Sequence, residues 1–333
     1  MIRFGLVGTG RIGSIHADTL TRLPGAELVS LTDVDLKAAQ ACATRAGVGQ
    51  VAPDFDALLS DDTITAVAIC SSTDTHADFI GKAARAGKHI FCEKPIDSDL
   101  KRIDAVLSEV EKAGVQLMVG FNRRFDRNHQ RIQRAIRDGE VGTPHLLHII
   151  SRDPSPPPIE YIRVSGGMFF DMTIHDFDMA RFLLGEVEEV FATAAVRVDP
   201  RIGEAGDVDT AVIVLKFASG ALGTIDNSRQ AVYGYDQRVE VFGSGGAARS
   251  DNVFSDEVTL STAESVRRGL PKHFFLDRYL GSYQAELEAF VASLREGRPV
   301  PVTGQDGRAP VVMAMAARRS LAENRPVRLT EIA

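Results

Sequence analysis

The stretch Met1-Ile2-Arg3-Phe4-Gly5-Leu6-Val7-Gly8-Thr9-Gly10-Arg11-Ile12-Gly13 decides how this chain is read. An apolar strand, Ile2 to Val7, runs straight into Gly8-x-Gly10-x-x-Gly13. An amphipathic run carrying Ile15, Leu20 and Leu23 follows. Strand, glycine turn and helix in this order are what a dinucleotide-binding βαβ unit needs. Gly8 permits the tight turn, Gly10 lets the backbone approach a pyrophosphate, and Gly13 lets helix and strand pack closely. The helix N-terminus then faces the phosphates. A second apolar run, Leu28 to Leu31, ends in Thr32-Asp33, where a carboxylate accepts hydrogen bonds from an adenosine ribose. The competing reading is a turn or helix N-cap aspartate, because Asp35 follows closely. Asp33, with no Arg at 34 to 36, predicts NAD over NADP. A 2′-phosphate beside that carboxylate meets repulsion of about 4 kcal/mol per charge pair at about 4 Å and an effective dielectric of about 20.

Length and composition bound the rest. The 333 residues imply two domains, and 44% apolar with 25% charged residues is the composition of a soluble globular protein. A net charge of -7 argues against a nucleic-acid binder, which needs a basic face; Arg123-Arg124 is too short to supply one. Cys42, Cys70 and Cys92 form no CxxC pair, so neither zinc nor a disulfide framework is expected. A reducing cytoplasm fits, and neither a signal peptide nor a membrane span is expected.

Apolar runs recur at Ile2–Val7, Leu28–Thr32, Ala66–Cys70, His89–Cys92 and Gln116–Gly120, with helical stretches such as Asp74–Ala86 and Leu100–Ala113 between them. Repeated βα units predict a Rossmann-type parallel sheet with helices on both faces over 1–121. Its ligands bind at the carboxyl ends of the strands, which carry Gly8, Asp33, Ser71-Ser72-Thr73, Glu93-Lys94-Pro95 and Asn122-Arg123. Over 122–333 the pattern changes. A helix is predicted over Asp126–Asp138, then strands at 145–152, 187–198, 208–217, 220–229, 236–243 and 257–262. Further helices are expected at 167–184, 274–296 and 305–323. Consecutive strands with few helices predict an α+β domain built on a large open antiparallel sheet.

Three local features carry chemistry. Lys94 follows the run Ile90-Phe91-Cys92, at a strand end where the nicotinamide of a dinucleotide lies. It can polarise a substrate hydroxyl there, or be an ordinary solvated lysine. Asp171, His175 and Asp178 fall on one face of a predicted helix. A carboxylate against an imidazole orients it and raises its basicity, which suits proton abstraction. The same spacing also fits a metal site or a plain helix-face pair. Tyr233-Gly234-Tyr235-Asp236 enters a strand, where tyrosines either pack or hydrogen-bond a polyol.

Together the glycine turn, Glu93-Lys94-Pro95 and the run Gly166-Gly167-x-x-x-Asp171-x-x-x-His175-Asp176-x-Asp178 resemble the glucose–fructose oxidoreductase/inositol dehydrogenase (Gfo/Idh/MocA) family over essentially the whole chain. Within it, Gly120-Phe121-Asn122-Arg123-Arg124-Phe125-Asp126, Ser151-Arg152-Asp153-Pro154 and Tyr233-Gly234-Tyr235-Asp236 look most like the myo-inositol 2-dehydrogenases. The resemblance implies Lys94, Asp171 and His175 as the catalytic group, with His175 the base. It implies Gly8, Thr9, Gly10, Arg11, Ile12, Gly13, Asp33, Ser71, Ser72, Thr73, His76, Glu93 and Lys94 around NAD. Lys94, Asn122, Arg123, Asp153, Asp171, His175, Asp178 and Tyr235 would meet a cyclic polyol. Ser151, Asp153 and Asn122 stand where family members can carry His, Asn and Met; all three are expected to line the substrate pocket, which leaves the exact polyol open.

The implied reaction oxidises a ring secondary alcohol, myo-inositol giving scyllo-inosose, without a metal. A cytoplasmic homotetramer packed through its open sheets is implied as well. The rivals are a dehydrogenase of scyllo- or chiro-inositol or a glucose-type sugar, a non-catalytic NAD-binding regulator, and a zinc-dependent alcohol dehydrogenase. The regulator has no need to keep Lys94 and His175, and the zinc enzyme needs cysteine spacing that is absent.

Overall fold

In the computed structural model, which describes residues 1–332, the opening strand β1 (Ile2–Val7) lies inside a six-stranded sheet. The chain continues through α1 (Arg11–Leu20), β2 (Ala26–Thr32), α2 (Leu36–Ala46), β3 (Gln50–Val51), α3 (Phe55–Leu59), β4 (Ala66–Ile69), α4 (Thr73–Arg85), β5 (His89–Glu93), α5 (Leu100–Ala113) and β6 (Leu117–Gly120). The strand order is β3-β2-β1-β4-β5-β6, and every pair is parallel. This is the doubly wound dinucleotide-binding order, whose switch point lies between β1 and β4. All of β4 and β6 is buried, as strands covered on both faces must be, and Phe4 and Leu6 of β1 are fully buried.

Helix ends follow local chemistry. The Asp35 carboxylate caps α2 by accepting from the Lys37 and Ala38 N–H groups, and Gly47 ends it in the left-handed region at φ 74°. Because Asp35 is the cap, Asp33 is left to serve the glycine turn.

The chain folds as two units, Met1–Phe125 with Gly281–Ala309, and Asp126–Leu280 with Pro310–Ala333. A single boundary at 121/122 therefore misses a return crossing: most of α11 (Phe275–Glu296) belongs to the first unit, where Phe290 packs on Phe4 and Phe91.

The second unit holds α6 (Arg127–Arg137), β7 (Pro144–Arg152), α7 (Ile159–Ile162), α8 (Met168–Asp171), α9 (Ile174–Leu184), β8 (Val187–Ala195), α10 (Pro200–Glu204), β9 (Thr210–Phe217), β10 (Leu222–Ser228), β11 (Asp236–Gly243) and β12 (Gly246–Ser250). A short ribbon, β13 (Thr259–Ser261) with β14 (Val266–Arg268), follows. Beyond α11, most of α12 (Gly304–Glu323) and then β15 (Val327–Arg328) belong to this unit. Its seven-stranded sheet runs β12-β11-β7-β10-β9-β8-β15. The expectation of an antiparallel sheet holds for every pair except β7 with β10, which is parallel, so the sheet is mixed. A parallel neighbour needs a long crossover, and the segment from α7 to β9 provides one. The run expected as a strand at 257–262 joins no large sheet; β13 pairs with β14 alone, and both strands are exposed.

Candidate active site

In the first unit the glycine turn has the shape of a phosphate cradle. Gly8 has φ +90°, and a Cβ there would lie 2.4 Å from the Ser71 backbone nitrogen. A Cβ on Gly13 would lie 1.8 Å from the Gly8 carbonyl oxygen, whereas one on Gly10 would meet nothing within 4 Å. Gly10 begins α1 with no side-chain cap and no acidic residue in the first turn. No acidic residue in the first turn of α1 counters its dipole there, as a bound pyrophosphate requires. Gly13→Ala is expected to disrupt the turn and cost about 1–3 kcal/mol. Gly10→Val should leave the melting temperature nearly unchanged and weaken NAD binding about tenfold. Calorimetry with and without NAD separates the two, and a Gly10→Val variant of undiminished affinity would show that the pyrophosphate lies elsewhere.

Thr9 is buried, Arg11 is exposed and Ile12 is half-buried. The Thr9 N–H and hydroxyl donate to one oxygen of Asp33 at 2.5 and 2.9 Å, and the Asp35 N–H donates to the other at 2.9 Å. Burial raises the Asp33 pKa, but these bonds outweigh it and hold the carboxyl below the usual aspartate value. An ionised carboxylate thus stands at the end of β2.

At the end of β4, Ser71 and Thr73 are half-buried and Ser72 is exposed. The Ser71 and Thr75 hydroxyls lie 2.6 Å apart, and Ser72 makes no side-chain cap on α4. His76 is buried, with Nδ1 2.8 Å from the Pro95 carbonyl and Nε2 3.0 Å from that of Ser71. It joins the end of β4 to the turn after β5. Burial pushes its pKa below 6.5, against the contrary pull of both carbonyls. Above about pH 6.5 both folded and unfolded states hold a neutral ring; as pH falls further, the unfolded chain takes the proton first and stability drops. Thermal melts from about pH 7.5 to about pH 5.5 should show this slope, reduced in His76→Asn. Parallel profiles for both proteins would contradict it.

Glu93 and Lys94 close β5. The Glu93 carboxylate lies 2.7 Å from Nε2 of His16, while Lys94 is half-buried. Asn122 and Arg123 are buried in the 3-10 turn after β6.

In the second unit the expected helix over 167–184 is broken, which corrects the placement of Asp171, His175 and Asp178 on one regular helix. Asp171 ends α8, and His175 and Asp178 lie on α9. The Thr173 N–H reaches back five residues to the Met168 carbonyl, and the His175 N–H reaches back three to that of Met172. The register shifts as at a π-bulge. The cause is remote in sequence: the Thr173 hydroxyl donates to Asn227 at 2.6 Å, and Asn227 donates to Asp176 at 2.9 Å and to the Ser151 carbonyl at 3.2 Å. These bonds pin the start of α9 to β10 and β7.

Asp171 accepts from the Tyr161 hydroxyl at 2.9 Å and from the guanidinium of Arg229 at 3.3 Å. Asp171 and His175 are half-buried, and Asp178 is fully buried. Among the described residues, a group of three ligand atoms within 4.8 Å of one another occurs at His16, Glu93 and Glu286, not at Asp171, His175 and Asp178. Asp153 is half-buried, its backbone bonded to Ser228 and Ala231. Ser151, expected to line a pocket, is fully buried with its hydroxyl on Gln237.

The two tyrosines divide. Tyr233 donates to Asp236 at 2.5 Å and accepts from Arg152 at 3.2 Å, so it belongs to an ionic network. Tyr235 is buried, edge-on to Tyr279 at 6.0 Å. Gly234, at φ +128°, lets the chain pass the Pro271 carbonyl, 2.8 Å from where a Cβ would stand. Sequence reasoning missed Arg229, Asn227 and Tyr161; the first two lie more than fifty residues from Asp171 and Asp176 respectively, and no local spacing marks Tyr161, ten residues from Asp171.

Residues 2–121 match the oxidoreductase family with an NAD-binding Rossmann fold, and residues 129–249 match the GFO/IDH/MocA C-terminal domain. The chain is 50% identical over 332 residues to a myo-inositol 2-dehydrogenase of Thermotoga maritima, covering 99% of each. The structure of a putative myo-inositol dehydrogenase from Sinorhizobium meliloti superposes with a TM-score of 0.96 at 48% identity, covering 100% of both chains. That of a scyllo-inositol dehydrogenase from Lactobacillus casei, with bound NAD(H) and scyllo-inositol, superposes at 0.92 with 29% identity over 99% of each. Residues 2–121 are accordingly an NAD-binding domain, and the chain belongs to the Gfo/Idh/MocA oxidoreductase family.

Proposed function

We propose that the protein oxidises a ring secondary alcohol of a cyclic polyol, myo-inositol to scyllo-inosose, in inositol catabolism. The observation that carries the substrate is 50% identity to the Thermotoga maritima enzyme across 99% of both chains. Gly8, Thr9, Gly10, Arg11, Ile12, Gly13 and Asp33 would hold the pyrophosphate and ribose of NAD, with Ser71, Ser72, Thr73, His76 and Glu93 along the neighbouring strand ends. NAD supplies the hydride acceptor.

The chain's own groups do the rest. His175 takes the hydroxyl proton as general base. Lys94 stabilises the developing alkoxide with its ammonium charge. Asp171, held by Tyr161 and Arg229, orients the base. Asn122, Arg123, Asp153, Asp178 and Tyr235 hold the remaining hydroxyls. NADH formation across myo-, scyllo- and chiro-inositol and glucose tests the assignment; no turnover with any cyclic polyol would reject it. The Lactobacillus casei neighbour gives scyllo-inositol a specific claim as second reading.

A homotetramer is part of the proposal. Leu146, Leu222 and Phe242 are exposed in one row across β10, β7 and β11, beside Val212 and Val214 of β9. Apolar rows on a sheet face suit a second copy of the chain. Three free cysteines suit the cytoplasm.

A further inference from the structure

Three ionisable side chains meet inside the first unit, and of them only Glu93 has been given a part in the proposed reaction. His16 on α1 is fully buried, its Nε2 2.7 Å from Glu93 and 3.9 Å from Glu286 on α11. Glu286 is fully buried too, and neither carboxyl oxygen has a hydrogen-bond partner. The Phe91 and Tyr283 rings stand edge-on to His16 at 5.0 and 5.8 Å, so the surroundings are largely apolar. An ionised carboxylate without partners in such a place is costly. The group must be neutralised by a cation or by a proton.

The geometry favours the proton. Around a tetrahedral zinc ion at about 2.1 Å, ligand atoms stand about 3.4 Å apart. His16 and Glu93 are already in hydrogen-bond contact at 2.7 Å, so the group closes on itself. Glu286 lies within 4.8 Å of the Glu93 carboxylate, which is the acceptor an acid O–H on Glu286 would face.

We propose that Glu286 is a positioning residue that acts as a neutral acid, donating a hydrogen bond to Glu93 and, with His16, fixing the end of β5 from which Lys94 is presented. Lys94 is the next residue along the chain, so a displaced Glu93 backbone displaces it. This step rests on the role given to Lys94 above. Burial, then the charge of Glu93, push the Glu286 pKa well above the ordinary glutamate value, in agreement with the geometry. The other groups facing the cluster are the Cys70 and Cys92 thiols, which burial also pushes up and keeps neutral, the Tyr283 ring, and Lys94 beyond Glu93.

The test uses the full chain with Glu286→Gln and Glu286→Leu. Glutamine keeps a donor and cannot ionise; leucine has no donor. The folded state holds the Glu286 proton above about pH 4.5, where the unfolded chain has lost it, so wild-type stability carries a downward slope with rising pH that glutamine lacks. Melting temperatures from about pH 5 to about pH 9 should therefore favour Glu286→Gln increasingly as pH rises. That readout needs no turnover, so it stands even if the polyol assignment fails. In turnover, Glu286→Leu should lower kcat about tenfold or more, and Glu286→Gln should restore most of it. Equal kcat in the leucine and glutamine variants would overturn the positioning role. Parallel melting profiles for wild type and glutamine, or stoichiometric zinc in the purified wild type that Glu286→Gln loses, would overturn the proton.

Discussion

Replacing His175 by alanine is expected to lower turnover by about 10²–10⁴-fold while NAD affinity stays nearly constant. The size follows from the removal of a general base, because without it the hydroxyl proton must leave to water. The selectivity follows from the division of the chain. His175 sits in the first turn of α9 in the second unit, whereas the glycine turn and Asp33 belong to the first. Its imidazole is half-buried, unlike the almost wholly buried Arg229, so the melting temperature should fall by less than at Arg229. Steady-state rates of NADH formation, with NAD affinity measured separately by titration, check both halves. Survival of turnover in the variant would end the assignment of His175 as base.

How far the sequence could be read depends on the range of the interactions. The parallel sheet was legible because βα units repeat locally, with strands buried on both faces giving unbroken apolar runs such as Ala66-Val67-Ala68-Ile69. The cradle was legible because Gly8, Gly10 and Gly13 do different steric jobs within a few residues. Asp33 became distinguishable from a helix cap only when Asp35 was seen to occupy that position. The break between α8 and α9 was not legible. Asp171 to Asp178 has helical spacing, and what breaks it is Asn227, on a strand that must first be placed in the sheet. The parallel β7–β10 pair and the return of α11 to the first unit are likewise products of topology. No local spacing marks His16 or Glu286, which only the fold brings to Glu93.

Arg229 is the clearest case of a residue that only the fold reveals, and its replacement by methionine should cost the second unit about 3–5 kcal/mol. The side chain is almost wholly buried, with one nitrogen 3.3 Å from Asp171 and another 3.4 Å from Asp207. Asp207 in turn accepts from the Met168 N–H at the start of α8, so the guanidinium links both ends of that short helix. Methionine fills similar space without the charge and leaves two mostly buried carboxylates facing each other's field. For a domain of this size the melting temperature should fall by about 6–20 °C. Adding Asp207→Asn should recover part of the loss, because it removes one of the stranded charges. Under the mechanism proposed above turnover should fall as well, since Asp171 loses the guanidinium on one of its oxygens. Loss of activity and loss of stability therefore travel together at Arg229 and separate at His175. A methionine variant that melts with the wild type would mean that the Tyr161 hydroxyl and the Met168 N–H suffice to hold the two carboxylates.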